Sequence, residues 1–108
     1  MKIESLTSEL TFEEWCEANN IELTAKERPL ELQKSLNINK WYVSGREKGT
    51  GKSVEISDGY CLRGGAGNGD SPEEAMYDLA DYWRGQRLVI DAFGSRREIQ
   101  VPNEWEDA

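Results

Sequence analysis

A chain of 108 residues and 12.3 kDa, with 21 acidic side chains against 13 basic ones and a formal charge of −8, has material for one compact core and not for two. It carries no histidine, which removes Ser-His and Cys-His nucleophilic pairs and histidine-built zinc sites, and its two cysteines cannot complete a tetrahedral thiolate set. Leu88-Val89-Ile90 is far too short an apolar run to cross a bilayer, and Met1-Lys2-Ile3-Glu4 turns acidic before a signal region can begin, so a soluble cytoplasmic protein with no membrane partner is expected.

The first predicted element is a short helix near 12–19. Thr11 can cap it with Glu14 closing the capping box, Leu10 and Trp15 form a hydrophobic staple, and Asn19-Asn20 provide the exit. Its apolar side is Phe12, Trp15 and Cys16. Ile21, Leu23 and Ala25 then alternate with Glu22 and Thr24, the period of a strand with one wet face. Residues 26–39 mix periods around Pro29 and read as a connection holding a helical turn. Trp41 and Val43, then Val54, Ile56, Tyr60 and Leu62, alternate on either side of Lys48-Gly49-Thr50-Gly51-Lys52. That predicts a hairpin of strands 40–47 and 53–62, with Asp58-Gly59 as a bend or bulge.

Residues 64–69 are too glycine-rich for regular structure and lead into the clearest helix start of the chain. Ser71 caps, Pro72 takes the first helical position, Glu74 closes the box, and Ala75, Met76, Leu79, Tyr82 and Trp83 form an apolar stripe ending at Gly85. A second hairpin pairs 87–92 with 96–101 around Phe93-Gly94-Ser95. The elements imply an α+β fold: a mainly antiparallel sheet of four to five strands with two helices, the second packed on one face and the first against an edge or end. A single domain covers 1–102, and 103–108 form an acidic tail holding Trp105. The predicted core is Trp15, Ile21, Leu23, Val43, Val54, Ile56, Leu62, Met76, Leu79, Trp83, Val89 and Ile99. Cys16 and Cys61 fit no ligand or redox spacing and are expected as reduced, buried small hydrophobes.

Several motifs fall short of the chemistry they suggest. Gly45-Arg46-Glu47-Lys48-Gly49-Thr50-Gly51-Lys52-Ser53 has five residues where a phosphate-binding loop has four, and Ser53-Val54-Glu55-Ile56 alternates like a strand where that loop needs a helix. Gly65-Ala66-Gly67-Asn68-Gly69 puts Asp70 in place of the last glycine of the dinucleotide fingerprint. Asp70, Glu73 and Glu74 also occupy the positive end of the helix, against an anion site. The order helix, three strands, helix invites comparison with double-stranded-RNA-binding domains, but Pro72-Glu73-Glu74 stands where those modules present lysines. No catalytic residue, metal ligand or cofactor is assigned, and the chain is not expected to be an enzyme.

Charge is segmental. Residues 1–25 hold one base and six acids (−5), residues 26–52 seven and three (+4), and residues 53–108 five and twelve (−7). Glu9, Glu13, Glu14 and Glu17, with Asp78 and Asp81 on the later helix, offer carboxylates that imitate phosphates toward a basic protein surface, although solubility accounts for the same acids. The alternative is a nucleic-acid-binding face on Lys40, Trp41, Tyr42, Arg46, Lys48 and Lys52, where basic and aromatic residues interleave. The overall negative charge opposes it. A two-fold contact through an edge strand would make a homodimer.

The stretch from Gly67-Asn68-Gly69-Asp70-Ser71-Pro72-Glu73-Glu74-Ala75 through Gly85-Gln86-Arg87-Leu88-Val89-Ile90 to Arg96-Arg97-Glu98-Ile99-Gln100-Val101-Pro102 resembles small proteins of tailed bacteriophages and prophages. The likeness covers roughly the last 40 residues. It implies a bacterial cytoplasm as the setting and transfers no functional residue. The expected function is a non-enzymatic, phage-type protein that engages a protein partner through acidic and aromatic surfaces, in the manner of an inhibitor of a host nucleic-acid-handling or defence enzyme.

Overall fold

The computed structural model describes residues 10–36 and 38–105. Its helices are α1 (Phe12–Ala18), α2 (Leu30–Leu36) and α3 (Pro72–Trp83). Its strands are β1 (Ile21–Glu27), β2 (Trp41–Glu47), β3 (Val54–Ser57), β4 (Leu62–Arg63), β5 (Gly67–Gly69), β6 (Arg87–Ile90) and β7 (Arg97–Gln100). The class is α+β, but the single sheet with two helices is corrected: the described residues form two antiparallel sheets, β1-β2-β5 and β4-β3-β6-β7, with three helices.

The two sheets arise where the first predicted hairpin comes apart. Only the Arg46–Ser53 bridge and the Glu47 amide donating to the Lys52 carbonyl (2.9 Å) survive of the 40–47/53–62 pairing. Beyond them Val54 lies opposite Ile90 and Ile56 opposite Leu88, so β3 trades the polar end of β2 for an apolar partner across the core. The predicted strand 53–62 is also split. Asp58 Oδ1 accepts the amides of Tyr60 and Cys61 (2.9 and 2.8 Å) and Gly59 takes φ +97°, which folds β4 back on β3. Cys61 sits on this turn and is exposed, correcting its expected burial; Cys16 is buried as expected.

Two further expectations are revised. The connection 26–39 holds a full two-turn helix, α2, which buries no residue and leaves Leu30, Leu32 and Leu36 exposed. The glycine-rich run contains β5, antiparallel to β2. A Cβ at Gly67 would lie 2.0 Å from the Ala75 carbonyl oxygen, and one at Gly69 2.6 Å from the Ala75 amide nitrogen. The glycines are the surface on which strand backbone meets helix backbone, a use of glycine that a composition argument reads as a loop.

One core joins Phe12, Trp15 and Cys16 of α1, Leu79, Ala80 and Trp83 of α3, Ile21 and Val43 of the first sheet, and Val54, Ile56, Leu88 and Ile90 of the second, with Val101. Gly45 makes room for Trp83, whose ring would lie 2.5 Å from a Cβ there. Leu23, Met76 and Ile99 pack only against the rim of this core, and Leu62 is half-buried. Trp105, placed by sequence in an acidic tail, packs onto the domain. Its Nε1 donates to the Ala80 carbonyl (3.3 Å) and its ring meets Phe12 and Trp15 edge-on at 5.2 and 5.4 Å. No described helix is long and apolar enough to cross a membrane.

Candidate binding groove

Two capped helices define the feature. On α1, Thr11 Oγ1 accepts the Glu14 amide (3.2 Å) and Glu14 Oε1 accepts the Thr11 amide (3.0 Å), so the predicted capping box is complete. On α3, Ser71 Oγ accepts the Glu74 amide (3.1 Å), but the Glu74 carboxylate reaches past the cap to the Asp70 amide (2.9 Å). With Ala75, Leu79, Ala80 and Trp83 turned inward, helical spacing leaves Met76 half-buried and Tyr77 exposed on the flank of α3 facing α1.

Between these helices run two adjoining hollows of about 460 and 430 Å³ that share Glu13, Met76 and Tyr77. The first continues over Phe12, Ala80 and Trp105, with Asp81, Arg84 and Glu104 at its margin; the second continues over Leu23, Ala25 and Val43, bounded by Pro72 and Glu73. The result is one groove with an apolar floor and four carboxylates along its rim, Glu13, Glu73, Asp81 and Glu104. Arg84 is the lining cation, and it already pairs with Asp81 at 3.5 Å. Burial pushes the Cys16 thiol up to about 12, and the nearby Glu13 carboxylate adds to the effect.

The acidic residues singled out by sequence have different fates. Glu13 and Asp81 line the groove. Glu14 is engaged in the cap, and Asp78 Oδ2 accepts the Asn68 amide (2.8 Å), pinning β5 to α3. Glu17 is exposed on α1 outside the groove lining, and Glu9 lies outside the described residues. Glu73, Glu104, Met76, Tyr77 and Trp105 also line the groove, and the sequence reading assigns none of them to binding. The usable signal was Trp105 beside Glu104, a large aromatic in an otherwise polar stretch.

The basic set is dispersed. Lys40 and Lys48 flank β2 at opposite ends, roughly 25 Å apart for a strand of this length. Trp41 packs against the core, whereas Tyr42 faces the other way beneath the Arg28 guanidinium, 4.7 Å from its ring centre. Arg46 stands opposite Glu22 and reaches the Gly51 carbonyl at 3.5 Å; Lys52 is on the exposed turn. No single described face gathers all six. Compared with protein-family models, curated proteins and solved structures, the chain matches none.

Proposed function

We propose that the protein works by binding rather than by catalysis, taking a basic, amphipathic segment of a protein partner into the groove between α1 and α3. The supporting observation is the coincidence of an apolar floor, built on Met76, Tyr77, Leu23 and Trp105, with a rim of exposed carboxylates. Desolvation of the floor supplies affinity, while the rim steers a cationic segment and fixes its orientation. The phage-like character of the C-terminal stretch suggests a bacterial cytoplasm and a host enzyme that handles nucleic acid, because such enzymes expose basic surfaces to which a ring of carboxylates is complementary.

Affinity capture from a bacterial lysate tests this, using the wild type, Tyr77→Ala, and Glu13→Lys with Glu73→Lys. All these positions are exposed, so the variants should stay folded; Tyr77→Ala should melt close to the wild type and the double reversal a few degrees lower, because it sets lysines in the first turns of α1 and α3. A specific partner held by the wild type at moderate salt and lost from both variants supports the groove. The same proteins on all three baits, or none on any, count against it. A gel shift that responds to Lys48→Glu with Lys52→Glu would favour nucleic-acid binding instead.

A further inference from the structure

We infer that β1 is a dimerisation edge, pairing antiparallel with β1 of a second copy about a two-fold axis at Thr24. The inference stands on the strand itself and does not depend on the groove. β1 is the terminal strand of its sheet, seven residues without proline or bulge. Its ladder with β2 is bonded at Asn20–Lys48 (2.9 Å) and Arg28–Lys40 (2.7 Å), in the register Glu22–Arg46, Thr24–Ser44 and Lys26–Tyr42. Bonded pairs alternate along an antiparallel ladder, so Glu22, Thr24 and Lys26 aim their backbone groups at β2. Ile21, Leu23, Ala25 and Glu27 therefore aim theirs outward, and among the described residues no other segment hydrogen-bonds to them.

An open edge of this length accepts a strand, and the central stretch of this one, Glu22 to Lys26, is complementary to itself. With Thr24 opposite Thr24 of the second copy, all seven residues find partners. Leu23 meets Ala25 and Ile21 meets Glu27 as bonded pairs, as the outward-facing groups require. Glu22 meets Lys26 of the second copy twice, at the closer non-bonded positions where side-chain pairing is strongest. Opposite charges, an apolar pair and a threonine pair are the cross-strand combinations that stabilise antiparallel sheets. The faces also agree. Leu23 and Ala25 of both copies lie on the side of α3, while Glu22, Thr24 and Lys26 lie on the other. The two three-stranded sheets become one of six strands, a self-complementary contact of the kind two-fold dimers use. The same register carries the chain leaving β1 for α2, with its exposed leucines, to the end of the second copy where α1 leads into β1.

Sedimentation over a concentration series reads the assembly. Wild type should approach twice the 12.3 kDa chain mass at high concentration. Lys26→Glu, which sets two glutamate pairs against each other, should raise the dissociation constant roughly tenfold. Adding Glu22→Lys should recover the dimer, with melting curves confirming that each variant is folded. Register is read by Thr24→Cys in a Cys61→Ser background, because facing non-bonded positions bring Cα atoms within disulfide reach. Mild oxidation should link Thr24→Cys chains to each other and leave Glu22→Cys chains unlinked. A wild type that stays monomeric throughout, a dimer indifferent to Lys26→Glu, or failure of Thr24→Cys to cross-link overturns the inference.

Discussion

Replacing Gly67 with alanine probes the contact on which the position of α3 depends. The added methyl would lie 2.0 Å from the Ala75 carbonyl oxygen, 2.4 Å from the Leu79 amide nitrogen and 2.7 Å from the Leu79 Cβ. Ordinary contact begins near 3.4 Å, so strand and helix must separate by about 1.4 Å along the line to that oxygen. The obstructing atoms are mostly helix backbone and cannot rotate away. The cost should therefore exceed the usual 1–3 kcal/mol of overpacking and reach about 3–5 kcal/mol. At about 4 °C per kcal/mol for a domain of this size, Tm should fall by about 12–20 °C. Gly64→Ala is the control, since its Cβ would meet nothing within 4 Å and its φ lies outside the left-handed region. It should be neutral or stabilising by up to about 1 kcal/mol through the unfolded chain. Thermal and urea unfolding followed by circular dichroism compares the two. Equal stabilities would refute the claim that β5 is glycine because the helix lies against its backbone.

Thiol chemistry should separate the two cysteines: Ellman's reagent is expected to titrate Cys61 at once and Cys16 only on unfolding, because Cys16 is 1% exposed and its thiol is pushed up to about 12. Two thiols reacting together in the native protein would contradict that burial. The raised Cys16 value has a pH consequence of definite sign. Between about 9 and about 12 the unfolded thiol is ionised and the folded one protonated, so this group's stabilisation is full below 9 and falls by about 1.4 kcal/mol per pH unit above it. Cys16→Ala should remove that part of the alkaline slope in urea melts, and an unchanged slope would assign it elsewhere. At acid pH, the amides of Cys61 and Tyr60 hold the Asp58 carboxyl below its ordinary range. Its contribution is present above the unfolded value and lost as pH falls through the folded one, so Asp58→Ala should flatten the acid limb of the stability profile.

Local signals were legible wherever one stretch of chain decides its own structure. The caps of α1 and α3 follow from Thr11, Ser71 and Pro72, and the 87–101 hairpin closes as its alternation implies, with Leu88 opposite Ile99. What sequence could not give were choices between partners. Val54 and Ile56 alternate equally well beside β2 or β6, and only the shared burial with Leu88 and Ile90 decides for the latter. Glycine in a loop and glycine under a helix look alike in composition, which hid β5. The groove was half visible: Glu13 and Asp81 stood out as acids, but Met76 was assigned to the core because helical period separates stripe from opposite face and not stripe from flank.

The position of the groove follows from the glycines. A helix is about 10 Å across and strands lie about 4.8 Å apart, so one helix covers two strands of a three-stranded sheet. Which two is settled by where the helix can come closest. Gly67 and Gly69 bring Ala75 and Leu79 down onto β5, and Gly45 accepts the Trp83 ring on β2. Asp78 fixes the arrangement from outside by accepting the Asn68 amide. α3 is thereby drawn toward the β5 side, leaving the inner face of β1 at Leu23 and Ala25 without a full cover. The groove floor over β1 is the result of that displacement. A side chain at Gly67 would push α3 off β5 and so alter the width of the groove at Met76 and Tyr77. Weakened partner capture by Gly67→Ala at a temperature where it remains folded would link the glycine strand to the binding surface.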